Sequence, residues 1–408
     1  MEIADPGELM VLLPATEAYA WLRNGEGMVG WGELVRHKAT GMVEAQEWWT
    51  DLVAHVEIDA DIDDAPSGSG LLAFGSFVFD PDNTAAQSQL IVPRVVVGRR
   101  NHRTWLTTVG PVDDDELPGR REVSAPTRPL DVDLAPGSLP GERWTRVVAE
   151  AVARIGAGEL DKVVLARDLV ATAGNDIDPR WVAGRLAEHY TRCWTFLIDG
   201  LVGATPEMLV RLESGLATSR VLAGTIRRSG DDARDLGLAA ALAHSSKDLE
   251  EHEYAVRSVA AALAPSCSGM NVPDTPYVLA LPNVLHLATD VTAVAQPGAT
   301  SLGLAAALHP SAAVCGTPTD AARTLIAELE HLDRERYSGP VGWMDARGDG
   351  EWGIALRCGQ LSPEDPRRIR LFAGCGIVAG SDPAAELAES VAKFLPMRES
   401  LQASSGPC

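Results

Sequence analysis

The chain has 408 residues, 46% of them hydrophobic and 23% charged, the composition of a folded globular protein. Its formal net charge is −22, from 35 basic and 57 acidic residues, which argues against nucleic acid or an anionic membrane surface as partner. The six cysteines (Cys193, Cys267, Cys315, Cys358, Cys375, Cys408) form no CxxC pair, no apolar run reaches the roughly 20 residues of a membrane span, and Met1–Asp5 lacks a secretion signal, so reduced thiols in a cytoplasmic protein are expected.

Residues 1 to about 110 read as strand-rich. Leu71–Asp80 and Leu90–Val97 are apolar and β-prone, with Pro81-Asp82-Asn83 as turn residues between them. Residues 110–141 are rich in proline, glycine and acid and read as an exposed connection. An amphipathic helix follows over 142–157, with Trp144, Val147, Val148, Ala151, Val152 and Ile155 at helical spacing. Next, Lys162 stands at the mouth of an apolar, β-branched strand, Val163-Val164-Leu165. Further helices are expected at Pro179–Tyr190, Ala233–His244 and Asp248–Leu263, and strands at Trp194–Ile198, Met208–Leu212, Val284–Val291 and Arg368–Phe372. Gly348 and Asp349-Gly350 mark a hairpin turn within Met344–Trp352, and a last helix spans Pro383–Leu395.

Four features carry chemistry. Lys162 reads either as a strand-end lysine whose ammonium reaches water, or as a partly desolvated lysine able to act as a base. Glu207, in Thr205-Pro206-Glu207-Met208, opens an apolar strand; buried there, its pKa would rise and it would become a usable proton donor. Asp248 and Glu251 lie three apart at a helix start, as do Glu386 and Glu389. Each pair alone reads as a solvated face; two pairs meeting would make an all-oxygen site suited to Mg2+. Gly374-Cys375-Gly376 reads as a glycine-rich strand end before the last helix, and Leu222-Ala223-Gly224-Thr225 as a second glycine-containing turn; in each the glycines either serve an ordinary tight turn or let backbone N–H groups approach an anion.

Together these motifs resemble a known family. Lys162–Arg167, Thr205-Pro206-Glu207, Leu222–Thr225, Glu251-His252, His286-Leu287, Gly374-Cys375-Gly376 and Glu386…Glu389 stand in the order found in chorismate-utilising enzymes. That family includes isochorismate, salicylate, anthranilate and aminodeoxychorismate synthases. The resemblance is carried by residues 142–398, with Phe74-Gly75-Ser76 and Ile91–Arg94 similar to the N-terminal part of isochorismate synthases. It implies a single large α/β (α+β) domain of two antiparallel sheets packed face to face, with helices outside. Residues 1–141 would then be an N-terminal part ending in a linker, 142–398 the catalytic region and 399–408 a flexible tail.

The same resemblance implies Mg2+ on Glu251 and Glu389, with Asp248 and Glu386 adjacent. It makes Lys162 the base that activates water for attack at C2 of chorismate, and Glu207 the acid that protonates the departing C4 hydroxyl. Expected substrate contacts are Gly224, Thr225, His286, Ala313, Tyr337, Arg357, Gly374, Cys375, Gly376 and Lys393. Among the siblings, amine-inserting members generally lack lysine at position 162, and the nucleophilic lysine of aminodeoxychorismate synthases is replaced here by Ala223. Ala313-Val314 is similar to isochorismate synthases, whereas Tyr337 is the residue favoured by salicylate synthases. An isochorismate synthase of menaquinone or siderophore biosynthesis is expected. The alternatives are a salicylate synthase or a non-catalytic chorismate-binding relative. A monomer is expected, with a dimer as the alternative.

Overall fold

Bulky β-branched and aromatic residues alternate along much of this chain, and in the computed structural model they become strands of one antiparallel sheet. The structure describes residues 1–57, 65–113, 116–119, 123–281 and 284–402, apart from the side chains of Lys247 and Glu251. In chain order the first elements are β1 (Ala18–Arg23), β2 (Glu26–Ala39), α1 (Met42–His55), β3 (Leu72–Ser76), β4 (Ser88–Arg100), β5 (Arg103–Thr108) and β6 (Asp133–Pro136). Then come α2 (Gly141–Gly156), β7 (Lys162–Thr172), α3 (Pro179–His189), β8 (Trp194–Ile198), β9 (Leu201–Thr205), β10 (Met208–Glu213) and β11 (Leu216–Arg227). They are followed by α4 (Asp232–His244), α5 (Ser246–Leu263), β12 (Cys267–Asn271), β13 (Tyr277–Ala280), β14 (Val284–Ala295), α6 (Ser301–Leu308) and β15 (Gly316–Thr317). The last are α7 (Thr319–Leu329), β16 (Pro340–Asp345), β17 (Gly350–Ile354), β18 (Cys358–Leu361), β19 (Arg368–Ile377), α8 (Pro383–Lys393) and α9 (Leu395–Gln402).

The strand pairings follow one path, β7–β19–β18–β9–β8–β1–β2–β4–β3–β16–β17–β10–β11–β14. β6 and β15 flank β7, β5 flanks β4, and β12 and β13 flank β14. The sheet folds over on itself. Tyr19 of β1 stacks on Phe74 of β3 at 5.9 Å, although two strands separate them in the ladder. The Trp21 indole N–H of β1 donates to Glu351 of β17 at 2.7 Å. The two expected layers are thus halves of one continuous sheet. Trp21, Phe74, Phe196 and Trp343 fill the space between the halves. The outer faces are covered by helices: Trp49 of α1 and Trp144 of α2 enter one core, Leu186 of α3 and Leu401 of α9 another. On α2 the predicted stripe is buried at Trp144, Val148, Ala151 and Ile155. Each large apolar side chain so removed from water contributes roughly 1.5–3 kcal/mol.

Three expectations change. The strand-rich N-terminal part contains α1, whose Ala45 and Trp49 are buried four apart. The 110–141 connection contributes β6, paired with Leu169–Thr172 of β7; Asp114 and Asp115 within it lie outside the described residues. Residues 399–402 belong to α9, where Ser400 and Leu401 are buried, so the expected tail is not free there; 403–408, including Cys408, lie outside the described residues. The five described cysteines are buried free thiols. No helix among the described residues is long and apolar enough to cross a membrane.

Candidate active site

The cavity is built where β7, β11, β14 and β19 present their ends to the N-terminal turns of α5 and α8. It has a volume of about 460 Å3 and is lined by Lys162, Glu207, Gly224, Thr225, Asp248, His286, Ala313, Tyr337, Arg357, Gly374, Gly376, Glu386, Glu389 and Lys393. Of the sequence-derived positions, Cys375 is not among the described lining, and the side chain of Glu251 lies outside the described residues.

Lys162 is the first residue of β7 and is half-buried. Its stem crosses Gly376, where an added β-carbon would stand 3.0 Å from the lysine Cε. A β-carbon at Gly374 would come 2.9 Å from the Leu165 carbonyl and 3.1 Å from the Tyr337 hydroxyl. Both glycines lie inside β19, which runs on to Ile377. Their role is close approach of side chains across the strand rather than a turn.

Glu207 sits between β9 and β10, its N–H bonded to Thr205 Oγ1 at 3.2 Å. Burial pushes its carboxyl up to about 7, against the pull of Lys162, Lys393 and Arg357. A carboxyl poised there holds its proton at neutral pH and can release it.

Gly224 adopts φ +79° at a register shift between Ala223 and Thr225 in β11. The expected glycine turn is therefore a bulge within a long strand, which bends it so that Thr225 meets His286 across the pair. Thr225 Oγ1 and His286 Nδ1 share a 2.9 Å hydrogen bond. Burial, with Arg357 and Lys393 nearby, holds His286 down to about 3, so the ring is neutral. Its Nε2 and the Nη1 of Arg357 are buried without a hydrogen-bond partner among the described residues. Two such atoms in one polar cavity point to an oxygen-rich, anionic ligand. Arg357 is itself at φ +50°, a strained backbone for a non-glycine residue.

The acidic side is formed by α5 and α8. Ligand atoms of Cys375, Glu386 and Glu389 lie within 4.8 Å of one another. Asp248 lines the cavity from α5, with its β-carbon beside Gly224, but is not part of that cluster. Burial and then the neighbouring Glu389, set against Ser381 and Lys393, push Glu386 up. Lys393 donates to Glu389 at 2.7 Å and to the Gly374 carbonyl at 2.8 Å. The carboxylates are hard oxygen donors of the kind Mg2+ selects. Cys375 differs from expectation: it is not among the cavity lining, and its buried thiol lies behind the acids, 3.3 Å from the Glu386 carbonyl oxygen, with its pKa pushed up to about 12 by burial. In a strand, alternate residues face opposite sides, so flanking glycines at 374 and 376 place 375 on the α8 side.

Sequence reasoning missed Ser338, Ser381 and Asp382, which also line the cavity. Asp382-Pro383 carries a helix-start signal, and Asp382 caps α8 by accepting from Ala385 N–H at 2.8 Å. Ser338 had no signal.

A carboxyl with a raised pKa, a lysine, paired acids, an arginine and a neutral histidine in one cavity define an acid–base enzyme for a small anionic molecule. The chain belongs to the chorismate binding enzymes, whose family model matches residues 15–402. It is 41% identical over 268 residues to isochorismate synthase DhbC of Bacillus subtilis, covering 63% of this chain and 67% of that protein. It is 38% identical over 341 residues to a putative isochorismate synthase MenF of Mycobacterium tuberculosis, covering 80% and 86%. Among solved structures, a putative 2,3-dihydroxybenzoate-specific isochorismate synthase DhbC from Bacillus anthracis superposes with TM-score 0.81 at 31% identity, covering 98% of this chain and 100% of that one.

Proposed function

We propose that this chain is a Mg2+-dependent isochorismate synthase, converting chorismate to isochorismate by adding water at C2 and losing the C4 hydroxyl. The observation that carries the reading is Glu207: a buried carboxyl, 9% exposed and pushed up to about 7, in the same cavity as Lys162. Hydroxide is a poor leaving group, so departure at C4 needs an acid; water is a weak nucleophile, so attack at C2 needs a base. Lys162 takes the proton from the attacking water. The ring double bonds shift as the C2–O bond forms and the C4–O bond breaks, and Glu207 delivers its proton to the departing oxygen. Arg357 and neutral His286 offer the substrate their unpartnered buried nitrogens.

Asp248, Glu386 and Glu389, with Glu251 one turn along α5, would hold Mg2+. Bound there, the ion supplies the positive field for a substrate carboxylate that a chain of net charge −22 otherwise lacks. Tyr337 lines the cavity and favours a second reading, pyruvate elimination to salicylate, which Ala313 opposes.

Product analysis tests this directly. Purified protein with chorismate and Mg2+ is expected to yield an isobaric product by liquid chromatography with mass detection, and none without Mg2+. Salicylate and pyruvate as main products would establish the second reading; no turnover would overturn both.

A further inference from the structure

β7, the strand that begins with Lys162, has a gap along one edge. On its other edge the ladder with β19 is continuous from Val163 to Thr172. On this edge β15 reaches only Lys162 and Val163, and β6 begins only at Leu169. Peptide groups between them are buried and must be satisfied. Two bonds come from backbone, Val164 N–H to the Cys315 carbonyl at 2.8 Å and Gly137 N–H to the Asp168 carbonyl at 3.1 Å. The others come from side chains. Arg334 Nη2 donates to the Val164 carbonyl at 2.7 Å, Glu330 Oε1 accepts from Ala166 N–H at 2.7 Å, and the Trp144 indole donates to the Ala166 carbonyl at 2.8 Å.

Glu330 and Arg334 form one buried unit, 1% and 3% exposed. Arg334 Nε and Nη2 bond the Glu330 carboxylate at 3.0 and 2.8 Å, and its Nη1 donates to the Val314 carbonyl at 2.9 Å. The guanidinium lies 4.3 Å from the centre of the Phe79 ring. A buried ion pair is a weak means of stabilising a fold, since apolar residues of like volume serve as well. What this pair adds is direction. It ties the strand two residues from Lys162 to the loop beside Ala313, and Val164 and Val314 both line the cavity.

We infer that Glu330 and Arg334 are positioning residues that stand in for the missing strand and fix Lys162 relative to the Ala313–Val314 backbone. The catalytic consequence rests on the isochorismate synthase reading. Two variants test it. Arg334→Lys keeps the charge but loses the planar fork. Glu330→Gln/Arg334→Met keeps the volume and leaves no unpaired charge.

Both are assayed with chorismate and Mg2+, alongside thermal unfolding and residue-resolved hydrogen exchange. A displacement near 1 Å at a reacting group is enough for large rate losses. The expected result is kcat lower by about tenfold in Arg334→Lys and about a hundredfold in the double variant, with KM within about twofold. The Val164 and Ala166 amides of the double variant exchange at least about tenfold faster, while amides on the β19 edge do not change. Wild-type kcat in folded variants, or a loss that only tracks the unfolded fraction, would overturn the proposal. Should the wild-type chain turn over no chorismate, the functional reading falls and exchange alone decides: unchanged Val164 and Ala166 amides then overturn the strand substitute.

Discussion

Glu207 combines two properties that oppose one another. Its enclosure makes it an acid near neutral pH, and the same enclosure costs stability once it ionises. Unfolded, the group titrates near 4.5; folded, at about 7. Below 4.5 it is neutral in both states and the burial carries no charge penalty. As pH rises from 4.5 to 7 the unfolded chain loses its proton first, so stability falls across that window. Glu207→Gln, always neutral, is expected to raise the Tm over wild type at pH 8 without Mg2+, and to give no gain at pH 4.5. The same variant should lower kcat by about 10²–10⁴. In the wild-type chain Glu207 should contribute one limb of the kcat/KM–pH profile near pH 7, the protonated form being the active one, and that limb should be absent from Glu207→Gln. A pH–rate profile left unchanged by Glu207→Gln, or a Gln variant that is no more stable at pH 8, would contradict the assignment. Position 207 was legible as a glutamate opening an apolar strand. Its enclosure was not, because Lys162, Arg357 and Lys393 come to it from distant segments.

At the scale of elements, two helices begin in the same way and converge. Ser245 caps α5 through the Asp248 N–H at 3.3 Å, and Asp382 caps α8. Each then carries two acids three apart, the spacing that puts them on one face. Glu386→Gln is expected to weaken Mg2+ binding by tenfold or more in a calorimetric titration of the free enzyme, while the exposed Glu364→Gln leaves it unchanged. Asp382→Ala should cost about 1 kcal/mol of stability through the lost cap. Mg2+ affinity equal to wild type in Glu386→Gln would remove the acidic pair from the metal site.

α2, α3, α4, α5 and α8 were marked in the sequence by apolar periodicity or helix-start residues, whereas α6, apolar all round, and α7 were not read. α1 was hidden among strand-like neighbours although Ala45 and Trp49 sit on one face. β6 could not be read, because its residues are largely exposed and show no alternation. The bulge at Gly224 read as a turn because a glycine signals a left-handed backbone without saying whether the strand resumes beyond it. The clamp on β7 had no local signal at all, since Arg334 and the Val164 carbonyl are far apart in the chain.

The whole molecule follows from how the N-terminal third is used. Sequence patterning placed a connection near residue 141 between two parts of one fold, and the ladder crosses it. β1 pairs with β8, β3 with β16 and β6 with β7, so the block β1–β2–β4–β3 is inserted between strands that follow the connection, and β6 flanks another of them. The core between the sheet halves is shared likewise: Tyr19, Trp21 and Phe74 pack with Phe196, Trp343 and Phe372. Without residues 1–141, β8 and β16 become bare edges, prone to pair with other chains, and the large aromatics facing them lose their cover. A chain of residues 142–408, which retains Lys162, Glu207 and both acidic pairs, is therefore expected to be aggregated or molten and inactive. Co-expression with residues 1–141 should restore some soluble, active complex. The intact chain should unfold by heat with secondary structure and tryptophan fluorescence changing together. A folded, active 142–408 fragment would show that the catalytic region is a domain in its own right, and that the shared sheet is an embellishment upon it.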